Sequence, residues 1–523
     1  MAAYDVVVVG AGSAGCAVVN RLCRSSDLSV CLVEAGPDYG PLESGQWPPE
    51  LLDCHRMPST HDWGFSAQGA DGSTLPEPRA KVIGGCSAHN PCGASWGQPA
   101  DYDAWAQAGN QGWSYAELAP LIQQIERAPE QPSLPYRGHH GLIETRPYRD
   151  DELASWHRLF RDTALRSSFA WLTDLGAPDE PAEGVAPYYA NIQGQVRWNA
   201  AFAFLDPVRQ HPGLTILANT LAERLLLEQG RAVGLLCQAQ GQVLELRATT
   251  FMLCAGAYGS PLLLLRSGIG PGQHLRDMGL RQVIELPGVG QNLHDHPGIT
   301  LHFAPSARAV QLLQEDLAQD RFYQAQAVLR ARSTGCAAGF DLHLFSYYNL
   351  TEAGEVGFCL FVGYLAPRSR GQVLLGGKAV ELPPRIDLQL VIDPDQHDAV
   401  ALMDGLSLAR RLAQAEPLAS AIERELEPEA DVRSASDLCE QARHYVEGYA
   451  HAVGTCKMGP LTDPTAVVDH GGQVYGTSNV FVADASIIPQ IPRAGTNFTC
   501  SLIGWRIAEL LAARLGQESR VPR

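Results

Sequence analysis

No uninterrupted apolar run reaches the roughly 18 residues that a membrane-spanning helix needs, so no spanning segment is expected. Positive charge is scarce. Against 57 Asp and Glu stand 39 Lys and Arg, a net charge of −18, and such a field repels phosphate backbones and anionic lipid. Nucleic acid and membrane surfaces are therefore not expected partners, whereas cationic substrates are tolerated. No basic segment precedes the first apolar run, and Asp5 leads into valines that end in glycines, so residues 1–15 read as a buried strand and not as a signal peptide. A cytoplasmic location is the expectation. The 13 cysteines are odd in number and sit in apolar segments, and Cys86, Cys92 and Cys456 lack zinc-ligand spacing. They suit a reducing compartment, with neither a disulfide framework nor a metal site expected. Internal repeats and low-complexity tracts are also missing, which excludes a solenoid.

What is present is the balance of a globular enzyme: 523 residues, 45% hydrophobic and 18% charged, enough for more than one domain. Tyr4-Asp5-Val6-Val7-Val8-Val9 is a β-branched run suited to a strand buried on both faces. Gly10-Ala11-Gly12-Ser13-Ala14-Gly15 follows at once, then a helical segment with Ala17, Val18 and Leu22 on one face, then a second strand ending at Glu34. This is a βαβ unit with a dinucleotide fingerprint: Gly10 for the tight turn, Gly12 for close backbone approach to a pyrophosphate, Gly15 for helix packing, and Glu34 for ribose hydroxyls. Further strands are predicted at 214–217, 225–228, 243–247 and 249–257, the last returning to the nucleotide sheet. Val400, Met403, Leu406 and Leu412 predict an amphipathic helix over 395–415. Residues 480–484 read as a strand closed by Asp484, and 499–515 as a final helix.

Four later motifs add to the fingerprint: Lys81-Val82-Ile83-Gly84-Gly85-Cys86-Ser87-Ala88-His89-Asn90; Gly256-Ala257-Tyr258-Gly259-Ser260-Pro261 with Ser267-Gly268-Ile269-Gly270-Pro271; Pro287-Gly288-Val289-Gly290-Gln291-Asn292-Leu293-His294-Asp295-His296; and His451 to Gly459 followed by Val482-Ala483-Asp484-Ala485-Ser486. In this order, and over nearly the whole chain, they resemble the glucose-methanol-choline (GMC) flavin oxidoreductases. The resemblance implies bound FAD and an α/β fold: a doubly wound, Rossmann-like FAD-binding domain with an interleaved α+β substrate domain built on an antiparallel sheet. The expected FAD-binding segments are 1–150, 195–305 and 455–523, and the substrate-binding segments 151–194 and 306–454. The cofactor contacts it implies are Gly10, Gly12, Ser13, Ala14, Gly15, Glu34, Ala35, Gly84, Gly85, Ser87, His89, Asn90, Ala222, Asp484, Ala485, Thr496 and Asn497. The catalytic set it implies is His451 as base, His343 on the substrate side, and Asn497.

The loop from Gly84 to Cys92 is similar to that of choline oxidases, in which the histidine carries FAD covalently. A bond from His89 to the flavin 8α-methyl is expected, with a hydrogen-bonding role beside a noncovalent cofactor left open. Three positions depart from the choline oxidase pattern in ways that bear on activity. Gly298 stands where those enzymes place a glutamate that pairs with trimethylammonium, which argues against choline as substrate. Gly495 stands where the family has an Asn or His beside the base, leaving Thr496, a shifted Asn497, a backbone amide or water as replacements. Tyr449 stands where a small apolar residue is usual, and its ring would hinder oxygen.

Quieter readings complete the list. Asp484 is expected to help anchor FAD by water or backbone contacts, or to cap a helix. Asp295 with His294 and His296 reads as structural hydrogen bonding, not a metal site. Tyr136-Arg137-Gly138-His139-His140-Gly141 reads as surface architecture, and Arg370 as an internal ion pair or an anion contact. The function implied is FAD-dependent oxidation of a primary alcohol to an aldehyde by hydride transfer to flavin N5, with onward oxidation to the acid open. Amino sugars, amino alcohols and aryl alcohols are all candidate substrates, oxygen or another electron acceptor the co-substrate, and a homodimer is left open. The rivals are a non-redox or light-driven flavin enzyme of the same fold, such as a lyase or decarboxylase, and a catalytically silent scaffold.

Overall fold

In the run Ala3–Val9 four successive valines are buried, as a strand covered on both faces requires. The computed structural model describes residues 3–518, apart from residues 26, 69–73, 132, 320, 322–324, 351–355 and 429–431. Ala3–Val9 pairs in parallel with Val30–Val33 on one side and with Gln242–Leu253 on the other. Leu214–Leu217 extends the layer beyond Val30–Val33, and Val480–Val482 extends it beyond Gln242–Leu253, again in parallel. Helix Ser13–Ser25 crosses this sheet and packs on the last helix, Thr496–Glu518. The contact is backbone on backbone at Gly504, where a Cβ would stand 2.3 Å from the Ala14 carbonyl oxygen.

The strands predicted at 243–247 and 249–257 are a single 12-residue strand, Gln242–Leu253. No Gly or Pro interrupts the segment, so nothing ends the strand between them. Its first half pairs antiparallel with Arg231–Ala239, which pairs in turn with Thr220–Glu228, and its second half enters the parallel layer. The predicted strand at 225–228 is thus the end of a longer one, and residues 256–257 already belong to helix Gly256–Arg266.

A second seven-stranded sheet runs in the order Ile422–Glu427, Pro297–Pro305, Val356–Tyr364, Leu342–Leu350, Ala327–Ala331 and Gly184–Pro187, with Val446–Gly448 also beside Pro297–Pro305. Every pairing in it is antiparallel. Pro297–Pro305 belongs to this sheet, although the expected cofactor segment extended to 305: its Ile299, Leu301 and Phe303 join a core separate from that of the nucleotide sheet. Helices Ser155–Arg166 and His397–Ala413 cover that face. In the latter, Met403, Leu406 and Leu412 point inward as predicted, but Val400 is 41% exposed, because it lies with Ser407 and Arg411 on the outer face of the helix while its neighbours Ala399 and Leu402 are buried. The opposite face of the sheet carries Thr300, His343, Phe345 and Phe361 in register, and it looks toward the nucleotide-binding unit. Among the described residues no helix is long and apolar enough to cross a membrane.

Candidate active site

The glycine turn after the first strand is built from steric necessity. At Gly10, with φ +99°, a Cβ would lie 2.4 Å from the Cys254 carbonyl oxygen, and at Gly15 it would lie 1.9 Å from that of Gly10. Gly12 differs. Its Cβ position meets only the Gly85 Cα, 3.8 Å away, so two glycine-rich loops meet there as bare backbone. That strip beside the N-terminus of helix Ser13–Ser25 fits a pyrophosphate, which needs close backbone approach and the positive end of the helix dipole. Buried Glu34 clamps the turn, its Oε2 accepting from Ala11 N at 2.8 Å and its Oε1 from Gly36 N at 2.8 Å. Burial raises its pKa while those amides oppose the rise. Ala35 follows it and Ala222 sits at a bulge of Thr220–Glu228, both partly exposed.

Other expected cofactor contacts are committed to the protein. The Ser87 hydroxyl donates to the Gly84 carbonyl at 2.6 Å and accepts from Ala200 N at 2.8 Å, so it ties the loop down and has no proton left to offer. Asp484 takes Gly256 N, Ser260 Oγ, Ser486 N and Ser486 Oγ, which makes it a helix cap and excludes direct anchoring by its oxygens. The Ala485 carbonyl accepts from Gly454 N. Asn497, expected near the base, turns instead to the glycine turn: its Oδ1 accepts from Ser13 Oγ at 2.6 Å. It starts the last helix beside buried Thr496, and that helix packs on helix Ser13–Ser25, which brings the carboxamide to Ser13.

His89 is buried, with its Nε2 lacking any hydrogen-bond partner and its other side held by the Thr60 backbone. A buried, unpaired ring nitrogen is unfavourable by itself and fits a site where a cofactor atom completes it. Burial lowers its pKa, so the ring is neutral and its Nε2 lone pair is free to bond. Asn90 Oδ1 is used by Cys92 N at 3.0 Å.

His451 rises from a segment laced to residues 294–296. Tyr449 N donates to His296 O at 2.9 Å, and Val453 and His294 exchange both backbone hydrogen bonds. Between them Ala450 takes φ +59°, and the ladder skips a rung. The Asp295 carboxylate fills it, accepting from His451 N at 3.0 and 2.9 Å. His451 Nδ1 lies 3.1 Å from His296 Nδ1. One of these two ring nitrogens donates and the other accepts, and the tautomer that a proton acceptor at Nε2 requires has the proton on His451 Nδ1. That tautomer leaves the His451 Nε2 lone pair free. A Cβ at Gly495 would stand 3.7 Å from this Nε2 and 3.9 Å from Ser95 Oγ. Gly495 therefore adjoins His451, as counting along the chain indicated, and the hydroxyl nearest that position is that of Ser95, which the sequence reading did not find.

Beneath His451 lies a buried charged layer. Tyr258 OH donates to Glu77 Oε2 at 2.7 Å, and the Arg79 guanidinium sits 3.4 Å from Glu77 and 4.8 Å above the Tyr258 ring. Burial and the Arg79 charge push the His451 pKa down to about 3. Asp295 is pushed up to about 7 by burial and by Glu77, with Arg79 opposing. Sequence reasoning missed Glu77, Arg79 and Tyr258, since no local spacing connects them to residue 451. Asp295 and His296 make structural hydrogen bonds, as expected, and both make them to His451.

On the sheet side, His343 stacks on Phe340 at 5.5 Å with Nε2 buried and unpartnered, and burial, Arg330 and His451 hold its pKa well below the usual imidazole value. The Tyr449 ring stacks on His451 at 4.5 Å and meets Phe361 at 4.7 Å and Phe345 at 5.9 Å. Over Gly298 the space is full, because a Cβ there would stand 2.2 Å from the Phe361 ring. Arg137, expected at the surface, is buried between Trp96 and Tyr189 and paired with Glu126 and Asp174. Arg370 donates to neutral acceptors, Asn292 Oδ1 and Gln490 Oε1, in place of the expected ion pair. No group of His, Cys, Asp or Glu among the described residues is arranged to hold a metal.

Comparison with known proteins agrees with this geometry. Two models described as GMC oxidoreductase match residues 4–298 and 367–504. An oxygen-dependent choline dehydrogenase of Brucella suis biovar 1 is 31% identical over 98% of this chain and 96% of its own, and a choline oxidase of Arthrobacter globiformis is 30% identical over 98% and 95%. The crystal structure of pyridoxine 4-oxidase from Mesorbium loti superposes with a TM-score of 0.85 at 28% identity, covering 97% of this chain and 99% of that one. With nucleotide cleft, sheet and histidine in this arrangement, the chain belongs to the GMC family of FAD-dependent oxidoreductases acting on CH–OH groups.

Proposed function

We propose that the protein oxidises a primary alcohol to an aldehyde, with His451 Nε2 taking the hydroxyl proton. The observation that carries this reading is the His451 ring itself: neutral, fixed through Nδ1 by His296, and open at Nε2 toward Gly495. When bound, FAD supplies the ring that accepts the hydride. The turn from Gly10 to Gly15, Glu34, the loop from Gly84 to Asn90, Thr496 and Asn497 would hold it, with His89 Nε2 as the atom for covalent attachment. Arg79 opposes a standing positive charge on His451, so the proton moves to Nε2 as the O–H bond breaks and is not stored there beforehand. Ser95 supplies a hydroxyl beside the Gly495 gap. The rings of Tyr449, Phe361 and Phe345 line the site on the sheet side and suit an organic substrate. The names of the relatives point to small nitrogen-bearing alcohols, choline and pyridoxine. Tyr449 on the His451 ring favours an electron acceptor other than oxygen.

Anaerobic mixing with a panel of primary alcohols tests the reading. The flavin absorbance is expected to bleach with at least one alcohol class, and His451→Ala to slow that bleaching by a factor on the order of a thousand. Product release without bleaching would instead assign a non-redox reaction. Acid precipitation of the same protein is expected to leave a yellow pellet, and His89→Ala a colourless one.

A further inference from the structure

Among the described residues, the sheet face above His451 carries two carboxylates without a Lys or Arg partner, Glu447 and, opposite His302 further along the strand, Glu427. Glu447 and Tyr449 alternate along one extended segment and so project to the same side. Glu447 stands directly opposite Gly298, and the next row of that face is Thr300, Phe361 and Phe345. Glu447 Oε1 accepts from Thr300 Oγ1 at 2.8 Å, and Thr300 Oγ1 lies 3.2 Å from Tyr347 OH. Among the described residues Oε2 has no hydrogen-bond partner and no Lys or Arg pairs with the carboxylate, which is exposed. A carboxylate beside phenyl and phenol rings is the chemistry that recognises an ammonium group.

We propose that Glu447, with Tyr347, Phe345 and Tyr449, forms a subsite for a protonated amine, so that the substrate is an amino alcohol whose nitrogen lies far from its carbinol carbon. The inference rests on His451 being the proton acceptor. The distance follows from packing. Phe361 closes the space over Gly298, and the carboxylate stands one strand further out, about 4.8 Å away. Glu447 and His451 are four residues apart, at most about 13 Å of extended chain, which places amine and carbinol on the order of 5–10 Å apart. A two-carbon amino alcohol is too short to reach both. An aminated sugar or a long-chain amino alcohol is not. The acidic chain, at net charge −18, draws such cations in.

The test compares linear amino alcohols from ethanolamine to 6-aminohexanol with neutral alcohols of equal length, in the wild type, Glu447→Gln and Glu427→Gln. Titration with n-hexylamine, which has no hydroxyl, reports the subsite without turnover. Expected are kcat/KM values that rise with chain length for amino alcohols over neutral ones, and a KM for the long amino alcohols and a hexylamine Kd that both climb roughly ten- to a hundredfold in Glu447→Gln. Glu427, exposed on the adjoining strand, serves as the control: its substitution is expected to leave both values in place. An unchanged hexylamine Kd and an unchanged amine-to-neutral ratio in Glu447→Gln overturn the proposal even if alcohols are oxidised. Flavin that no alcohol bleaches, with hexylamine still bound through Glu447, overturns the alcohol reading and leaves the amine site standing.

Discussion

At position 449 a single ring does several things at once. It stacks on His451 at 4.5 Å, closes the aromatic wall with Phe361 and Phe345, and fills space that a smaller side chain would leave to a small molecule such as oxygen. Tyr449→Val is expected to speed reoxidation of the reduced protein by oxygen about tenfold, equivalent to about 1.4 kcal/mol of barrier, and to leave anaerobic reduction less affected. Stopped-flow mixing of reduced protein with oxygen measures it; an unchanged rate would show that access is set elsewhere. His451 was singled out in the sequence because it lies in a run of recognisable neighbours. Its immediate surroundings were not. Asn497 is two residues from Gly495 in the chain, yet its carboxamide belongs to Ser13, and Ser95 takes the position beside the gap.

Pairs of elements explain how His451 is held. Segments 294–296 and 449–453 run antiparallel, and the left-handed turn at Ala450 would leave one amide unpaired without the Asp295 carboxylate. Asp295 bears the cost of that burial: its pKa stands near 7 in the folded protein against about 3.9 in an unfolded chain. Between those values the folded state holds a proton that the unfolded state has released, so this group makes stability fall as pH rises from about 4 to 7. Asp295→Asn cannot ionise and is expected to flatten that decline, by up to about 1.4 kcal/mol per pH unit. Denaturant titrations at pH 5 and 7.5 decide it, and equal slopes in the two proteins would show that Asp295 does not carry the change. Element prediction worked where a pattern was local. The βαβ unit and helix His397–Ala413 came from periodicity, while Gln242–Leu253 was divided in two because one strand serves two ladders of different direction.

Across the whole molecule, the two sheets have separate cores, and the groups about His451 come from chain segments near residues 77, 95, 258, 295, 343 and 495. The sequence by itself determined the cofactor half of the protein. A glycine turn, a strand and an acidic tip act over short chain distances, where steric exclusion at Gly10 and Gly15 leaves almost no alternative. Only the tertiary structure decided the substrate half. Which ring covers Gly298 and which carboxylate stands opposite it depend on register between strands far apart in the chain, and a shift of one residue in that register would turn each of them to the other face.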